Sequence, residues 1–393
     1  MNAESRPRAR SRTCARAAGG AAAILLAAVA SCSASHDRPA PSKTAKSGSP
    51  AAALAVSPFC PARAPTGLAS ALSRTVPLSL RDELVPLGIS ADGSTAYVSA
   101  WTPKFAGVAA LKLAAGRLRP IARFPRPATD QADGAWGGRW LVWEQTYSLR
   151  SLDGFTVYAW DSATGTLRRL GHSLSRPGGS PWPSPWHAPA VSGQYAAWAQ
   201  GYGPGGLVQI RLANLRTGRV TVLARGHLQA PFFDGGLVVW PGSSRPGAMT
   251  ILHASVAATR RPASLPAALR QVKGTDFVVS DGTRTAYLDA GLRTLYYSPG
   301  PAQAASAVLR LPAGVSFSNL GIASGALTWS TTRATYVAST ATFGYLRVTP
   351  DYGFAVSGTG PDVLVSDAPA SKAAHPPLAL HVIDPAGIAR GHC

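Results

Sequence analysis

An apolar tetrapeptide that returns along the chain limits the folds open to it. It reads Trp140-Leu141-Val142-Trp143, Tyr195-Ala196-Ala197-Trp198 and Leu237-Val238-Val239-Trp240. Weaker copies are Ala96-Tyr97-Val98-Ser99, Phe277-Val278-Val279-Ser280, Ala326-Leu327-Thr328-Trp329 and Val363-Leu364-Val365-Ser366. The copies end at positions 99, 143, 198, 240, 280, 329 and 366, a mean step of about 44 to 45 residues. A strand with one wet face would alternate apolar and polar residues. The best copies are apolar throughout, so they read as strands covered on both sides.

The surrounding residues build a four-strand unit. Ala188-Pro189-Ala190-Val191-Ser192-Gly193 and Ala230-Pro231-Phe232-Phe233-Asp234-Gly235 each lead into an apolar strand. Ser-Gly and Asp-Gly are turn chemistry, because Gly accepts positive φ without steric cost. Third strands follow at Phe155 to Trp160, Val208 to Leu212 and Thr250 to His253. Next come the related turns Asp161-Ser162-Ala163-Thr164-Gly165 and Asn214-Leu215-Arg216-Thr217-Gly218, then fourth strands at Leu167 to Leu170 and Val220 to Leu223. Four antiparallel strands per unit make the blade of a β-propeller. The expectation is an all-β fold, a seven-bladed β-propeller. Six blades is the alternative, because the fifth to seventh units are degenerate. A β-sandwich does not predict copies at one spacing, and the Gly, Pro and β-branched content excludes a helical solenoid.

The four-strand unit and the Asp-x-x-Thr-Gly turn resemble the TolB-like and related propeller proteins of the bacterial envelope, in particular propeller lipoproteins of actinobacteria. The resemblance covers roughly Leu84 to Asp384. It implies partner binding or scaffolding more often than catalysis.

The start of the chain reads as an export signal. Arg6, Arg8, Arg10, Arg12 and Arg16 precede an apolar stretch from Ala21 to Ala30, which is too short to span a bilayer. The stretch ends Val29-Ala30-Ser31-Cys32, which matches the lipobox of bacterial lipoproteins. That resemblance makes residues 1–31 a signal peptide and Cys32 the lipid-bearing N-terminus. An ordinary secretory signal with a chance cysteine is the alternative. Residues 32–58, rich in Ser, Ala, Pro and Lys, read as a disordered tether, and 59–393 as one propeller domain. The implied location is extracytoplasmic, lipid-anchored to the cell membrane.

Cys14 falls in the signal segment, which leaves Cys60 and Cys393. A bridge between them would clip together the ends of a closed ring, and extracytoplasmic conditions permit it. Two unrelated free thiols are the alternative. The formal charge is +20, and removal of the five Arg and one Glu of the signal segment leaves a balance near +16. Such a charge favours anionic partners. The arginines are scattered singly, and no basic run with interleaved aromatics suggests nucleic-acid binding. The domain is expected to be monomeric.

Chemistry is sparse in the sequence. Gly-x-Ser-x-Gly, His-Glu-x-x-His and Cys-x-x-Cys are absent, no pair of histidines has metal-ligand spacing, and no cofactor is implied. Gly201-Tyr202-Gly203-Pro204-Gly205-Gly206 formally matches a dinucleotide loop but runs into a strand where the motif requires a helix. One constellation stands out. Loops entering the inner strand of each blade share a face with loops after the second strand. Aligned on Ala-Pro, the units place Gln131, His187, Gln229 and Asn319 just before inner strands, with Arg270 near that place in the fifth unit. Glu144, Gln145 and Tyr147, and likewise Gln200 and Tyr202, belong to the same face, and Trp182 and Trp186 lie in the loop before His187. Amides, a carboxylate, a His and aromatic rings around a channel mouth suit an envelope glycan or peptide. Polar lining of a wet channel is the simpler reading.

Asp133 and Glu144 belong to one unit and could pair as acid and base. A turn aspartate at the inner hairpin is the simpler role for Asp133. The functional expectation is a non-catalytic binding or scaffold protein. The alternative is a propeller hydrolase or lyase acting on envelope polysaccharide or peptide, with Glu144 and His187 at the channel mouth.

Overall fold

The computed structural model describes residues 58–63, 66–77, 83–127, 129–147, 154–185, 187–243, 249–256, 264–349, 352–367 and 379–393. The lipobox with Cys32, the tether up to residue 57, and Trp186 lie outside these residues. Apart from the short helices Thr66–Ala71 and Ala267–Gln271 and two 3-10 turns, the regular elements are strands.

The strands form successive antiparallel sheets, here lettered in chain order. Sheet A comprises Glu83–Ile89, Thr95–Trp101, Ala106–Lys112 and Arg117–Arg123. Sheet B comprises Gln131–Trp136, Trp140–Thr146, Phe155–Asp161 and Leu167–His172, and sheet C Ala190–Ser192, Tyr195–Gly203, Leu207–Asn214 and Val220–Leu228. Sheet D has Phe232–Asp234, Leu237–Ser243 and Met249–Ser255, and is linked to sheet C where His227 and Leu228 pair with Ser243 and Gly242. Sheet E has Val278–Ser280, Thr285–Leu288, Thr294–Ser298 and Ser306–Arg310. Sheet F has Phe317–Ala323, Ala326–Thr331, Ala334–Ser339 and Gly344–Arg347. Sheet G has Gly353–Ser357, Val363–Asp367 and Ala379–Ile383, with Leu72–Pro77 as its outermost strand.

The first strand of each sheet packs against the first strand of the next, and that of sheet G packs against that of sheet A. The hydrophobic cores follow the same circuit. Tyr97, Trp136 and Trp143 fill the gap between A and B; Trp140, Val142, Ala196 and Trp198 that between B and C; Ala197, Ile210, Val238 and Trp240 that between C and D. Ala96, Val98, Leu364 and Leu380 fill the gap between G and A. Sheets stacked face to face around a closed circuit are a β-propeller. The recurring tetrapeptide is explained by this stacking: Trp140 and Val142 point into one gap and Leu141 and Trp143 into the other, and all four are buried.

One copy of the tetrapeptide is out of phase with its expected place. Val278–Ser280 is the first strand of sheet E, and its second strand is Thr285–Leu288. The apolar run Phe277 to Val279 lines the centre of the ring and packs against the core between sheets, which gives it the composition of a second strand.

The two ends of the chain meet. Leu72–Pro77 pairs antiparallel with Ala379–Ile383, so sheet G takes strands from both ends. Cys60 and Pro61 pair in parallel with Gly344 and Tyr345 at the edge of sheet F, and Cys60 is bonded to Cys393 with their Cα atoms 5.0 Å apart. The clasp therefore ties the termini to sheet F, and the added strand closes sheet G. At the seam, Gly358 and Gly360 lie against the backbone of Ile89 and Ala91 so closely that a Cβ at either position would strike a carbonyl oxygen.

Candidate functional site

Around the centre of the ring the inner strands of sheets B to G line a cavity of about 450 Å³. Sheet A contributes nothing to this wall. Its inner strand is drawn against sheet G at the glycine seam and against Trp136, whose Cβ leaves no room for a side chain at Gly88.

The polar lining follows from the hairpins. In sheets C, D, E and F the first turn has a glycine at positive φ: Gly193 (55°), Gly235 (58°), Gly282 (85°) and Gly325 (89°). Six residues before each glycine stand His187, Gln229, Asp276 and Asn319. All four line the cavity. By the strand ladders His187 and Gln229 stand one residue further from the first turn than Asp276 and Asn319; together the four side chains make a staggered polar arc on the wall. Asp133 of sheet B and Ser280 of sheet E extend the polar lining, while Pro189, Pro231, Phe232, Phe233 and Phe277 supply apolar wall.

The expected face is therefore brought together only in part. His187, Gln229 and Asn319 line the cavity. Arg270 does not stand in the arc; it lies in the helix Ala267–Gln271, where its guanidinium donates to the Leu265 carbonyl (2.6 Å). Asp276 takes that position because the fifth unit is shifted in phase. Gln131 begins the inner strand of sheet B but does not line the cavity; Asp133, two residues on, does. Gln145 is buried and donates through Nε2 to Asp130 Oδ2 (3.2 Å). Gln200 is buried and donates through Nε2 to the His172 carbonyl (2.6 Å). Tyr147 and Tyr202 carry arginines over their rings, Arg126 at 4.8 Å and Arg225 at 5.9 Å. The hydroxyl of Tyr147 meets that of Thr156.

Asp133 is not a turn residue. It lies within the inner strand, directly across the ladder from Glu144. Cross-strand partners share a face of the sheet. Val142, two residues before Glu144, packs into the gap toward sheet C, so Asp133 and Glu144 face that gap. Glu144 is 1% exposed, and its Oε1 has no hydrogen-bond partner. Burial, and then the neighbouring Asp133 charge, holds the Glu144 carboxyl well above the usual carboxylate range. Burial pushes the Asp133 carboxyl up to about 6, opposed by a hydrogen bond from the Gly134 N–H (2.9 Å). Tyr352, just before the inner strand of sheet G, also has its pKa raised, by burial and then by the Asp133 charge. His187 keeps solvent access through the cavity, with the surrounding sheets packed around it at longer range. Burial lowers its pKa, and the Asp276 charge works in the opposite direction.

Chemically, the arc offers acceptors. A neutral imidazole has one acceptor nitrogen, each amide one carbonyl oxygen, and each carboxylate two oxygens. Among the described residues no group of three or more His, Cys, Asp or Glu side chains is placed to hold a metal ion, and no helix is long and apolar enough to cross a membrane.

No family model matches the sequence, and no curated protein does. Among solved structures, the chain is similar to one from a study of two prolyl endopeptidases, at 15% identity and a TM-score of 0.52 over 82% of this chain and 49% of the other. This chain spans about half the length of that protein. It is also similar to the β-propeller domain of the Trilobed protease from Pyrococcus furiosus, at 10% identity and a TM-score of 0.46 over 78% and 94% of the two chains. TolB from Acinetobacter baumannii is similar at 10% identity and a TM-score of 0.39 over 77% and 63%. At these identities the likeness concerns the fold alone: the neighbours of this chain include TolB and other β-propeller proteins.

Proposed function

We propose that this chain is a lipid-anchored, extracytoplasmic seven-bladed β-propeller of the actinobacterial lipoprotein type, and that it binds a ligand in its central channel without catalysis. The observation that carries the reading is the cavity of about 450 Å³ with His187, Gln229, Asp276 and Asn319 in its wall. That volume is in the usual range for a small-molecule site, and apolar walls with a few convergent polar groups are its usual make-up. The circuit of sheets A to G supports seven blades, and Val29-Ala30-Ser31-Cys32 supports the anchor. The rival, a hydrolase or lyase using Glu144, is disfavoured by the 1% exposure of that side chain. An acid–base group must come within hydrogen-bond reach of its substrate.

The test is a ligand-observed NMR screen of mixed small molecules against the full-length protein and an Ala188→Trp variant, whose indole occupies the cavity. Binders that disappear in the variant support the channel. A screen in which every binder survives the substitution overturns it. The anchor is tested separately, by mass spectrometry of the native protein for a diacylglyceryl group on Cys32. An unmodified Cys32, or a mature chain that retains residues before it, refutes that part.

A further inference from the structure

The chain carries 38 Lys and Arg against 18 Asp and Glu. An arbitrary wall in such a protein would be basic. Among the described residues, the cavity wall instead holds Asp133 and Asp276 and no Lys or Arg. Elsewhere the chain does pair its carboxylates with arginine: Asp161 with Arg139 (2.6 Å), Asp281 with Arg284 (3.0 Å) and Asp130 with Arg126 (3.4 Å). Among the described residues, no ion pair engages Asp133 or Asp276.

A second observation comes from behind the wall. Glu144, almost wholly buried across the ladder from Asp133, keeps Oε1 without a partner. Carboxylates enclosed by protein without a counter-charge are unfavourable. Glu144 is such a group; Asp133 is half-buried and Asp276 exposed, and a basic chain that leaves these two without a counter-charge in a concave site is suited to a cation that arrives from outside. The donor set is too dispersed for a metal ion among the described residues. Pro189, Pro231 and Phe233 favour a cation with an apolar body. An ammonium group donates three hydrogen bonds and accepts none. Asp276, flanked by the Gln229 and Asn319 amides and by the neutral His187 ring, supplies acceptors of that kind.

We propose that the central channel binds a small organic amine, a primary ammonium group on an apolar stem, through Asp276 and Asp133. This rests on the channel reading above and adds the charge and class of the ligand. The net positive charge of the protein opposes the approach of such a ligand at long range. Screening confines that opposition to about 8 Å at physiological salt, so the unpaired channel carboxylates dominate once it has entered.

The experiment is isothermal titration calorimetry of the full-length protein at pH 7.5 with three probes of one length: 1,5-diaminopentane, 1,5-pentanediol and pentanoate. The diamine is expected to bind about tenfold or more tightly than the diol, and Asp276→Asn and Asp133→Asn are each expected to weaken it about tenfold. Gln229→Lys, which places a cation in the arc, should abolish diamine binding and admit pentanoate. Diamine binding that survives the Asp133→Asn, Asp276→Asn double substitution overturns the proposal. So does a diol or pentanoate that binds as well as the diamine, and if Ala188→Trp removes that binding the channel reading stands without the amine. If no probe binds in a way that Ala188→Trp removes, the amine proposal falls, and the channel reading is decided by the NMR screen alone.

Discussion

Asp133 and Glu144 face each other across the ladder of sheet B, and both have carboxyls more basic than in the unfolded chain. The consequence for stability has a definite sign. The Asp133 carboxyl titrates near 6 in the fold against 3.8 for the ordinary side chain. The folded state therefore holds that proton more tightly, and stability is lost as pH rises from about 4 through 6. The loss is at most about 3 kcal/mol from this group, complete above pH 6. Asp133→Asn removes the charge and keeps an oxygen for the Gly134 N–H. Urea melts should show the variant more stable than the parent at pH 7.5, by about 1 to 3 kcal/mol, with the difference gone near pH 4. An equal or lower midpoint at pH 7.5 would show that Asp133 is already compensated. Glu144→Gln should act in the same direction. Asp161, bonded to Arg139 and held down to about 2, acts oppositely: its contribution is present above pH 3.8 and fades as pH falls toward 2.

Among elements, the glycine seam between sheets G and A is the most sensitive to small changes. Gly358→Ala would push a methyl into the Ile89 carbonyl, and overpacking of this kind costs about 1 to 3 kcal/mol. Thermal melts should show the loss, whereas Gly116→Ala, where a Cβ meets nothing within 4 Å, should cost only what its positive φ of 60° demands. The second strands were the elements most legible in the sequence, because burial on both faces leaves a continuous apolar run such as Trp140 to Trp143. Sheet E was misphased because its inner strand also carries apolar residues on both faces; the turn glycine Gly282 was the better guide, and counting back six residues from it finds Asp276. Strand Leu72–Pro77 was illegible: it is an outer strand that alternates half-buried and exposed residues and carries Arg74 and Pro77. Gln145 and Gln200 looked like channel residues because a polar side chain at a strand end reads the same whether it faces a ligand or satisfies a buried group nearby.

For the whole molecule, the closed circuit makes the termini structural. The Cys60–Cys393 bond closes a loop of 333 residues, which in the chain-entropy model contributes about 6 kcal/mol, with measured values commonly between 2 and 5. Cys393→Ser should lower the denaturation midpoint accordingly. Hydrogen exchange should rise first at Cys60–Pro61 and its partner strand Gly344–Arg347; uniform exchange across all sheets would mean that the clasp is not where opening starts. The shared sheet G also sets an order of events during synthesis. Leu72–Pro77 leaves the ribosome early, but its partner Ala379–Ile383 follows roughly 300 residues later, at 5 to 20 residues per second an interval on the order of 15 to 60 s. Through that interval the nascent chain holds a strand with no neighbour. Arg74 and the closing Pro77 keep that waiting edge from recruiting a wrong partner, so the ring can be completed only after the last strand has been made.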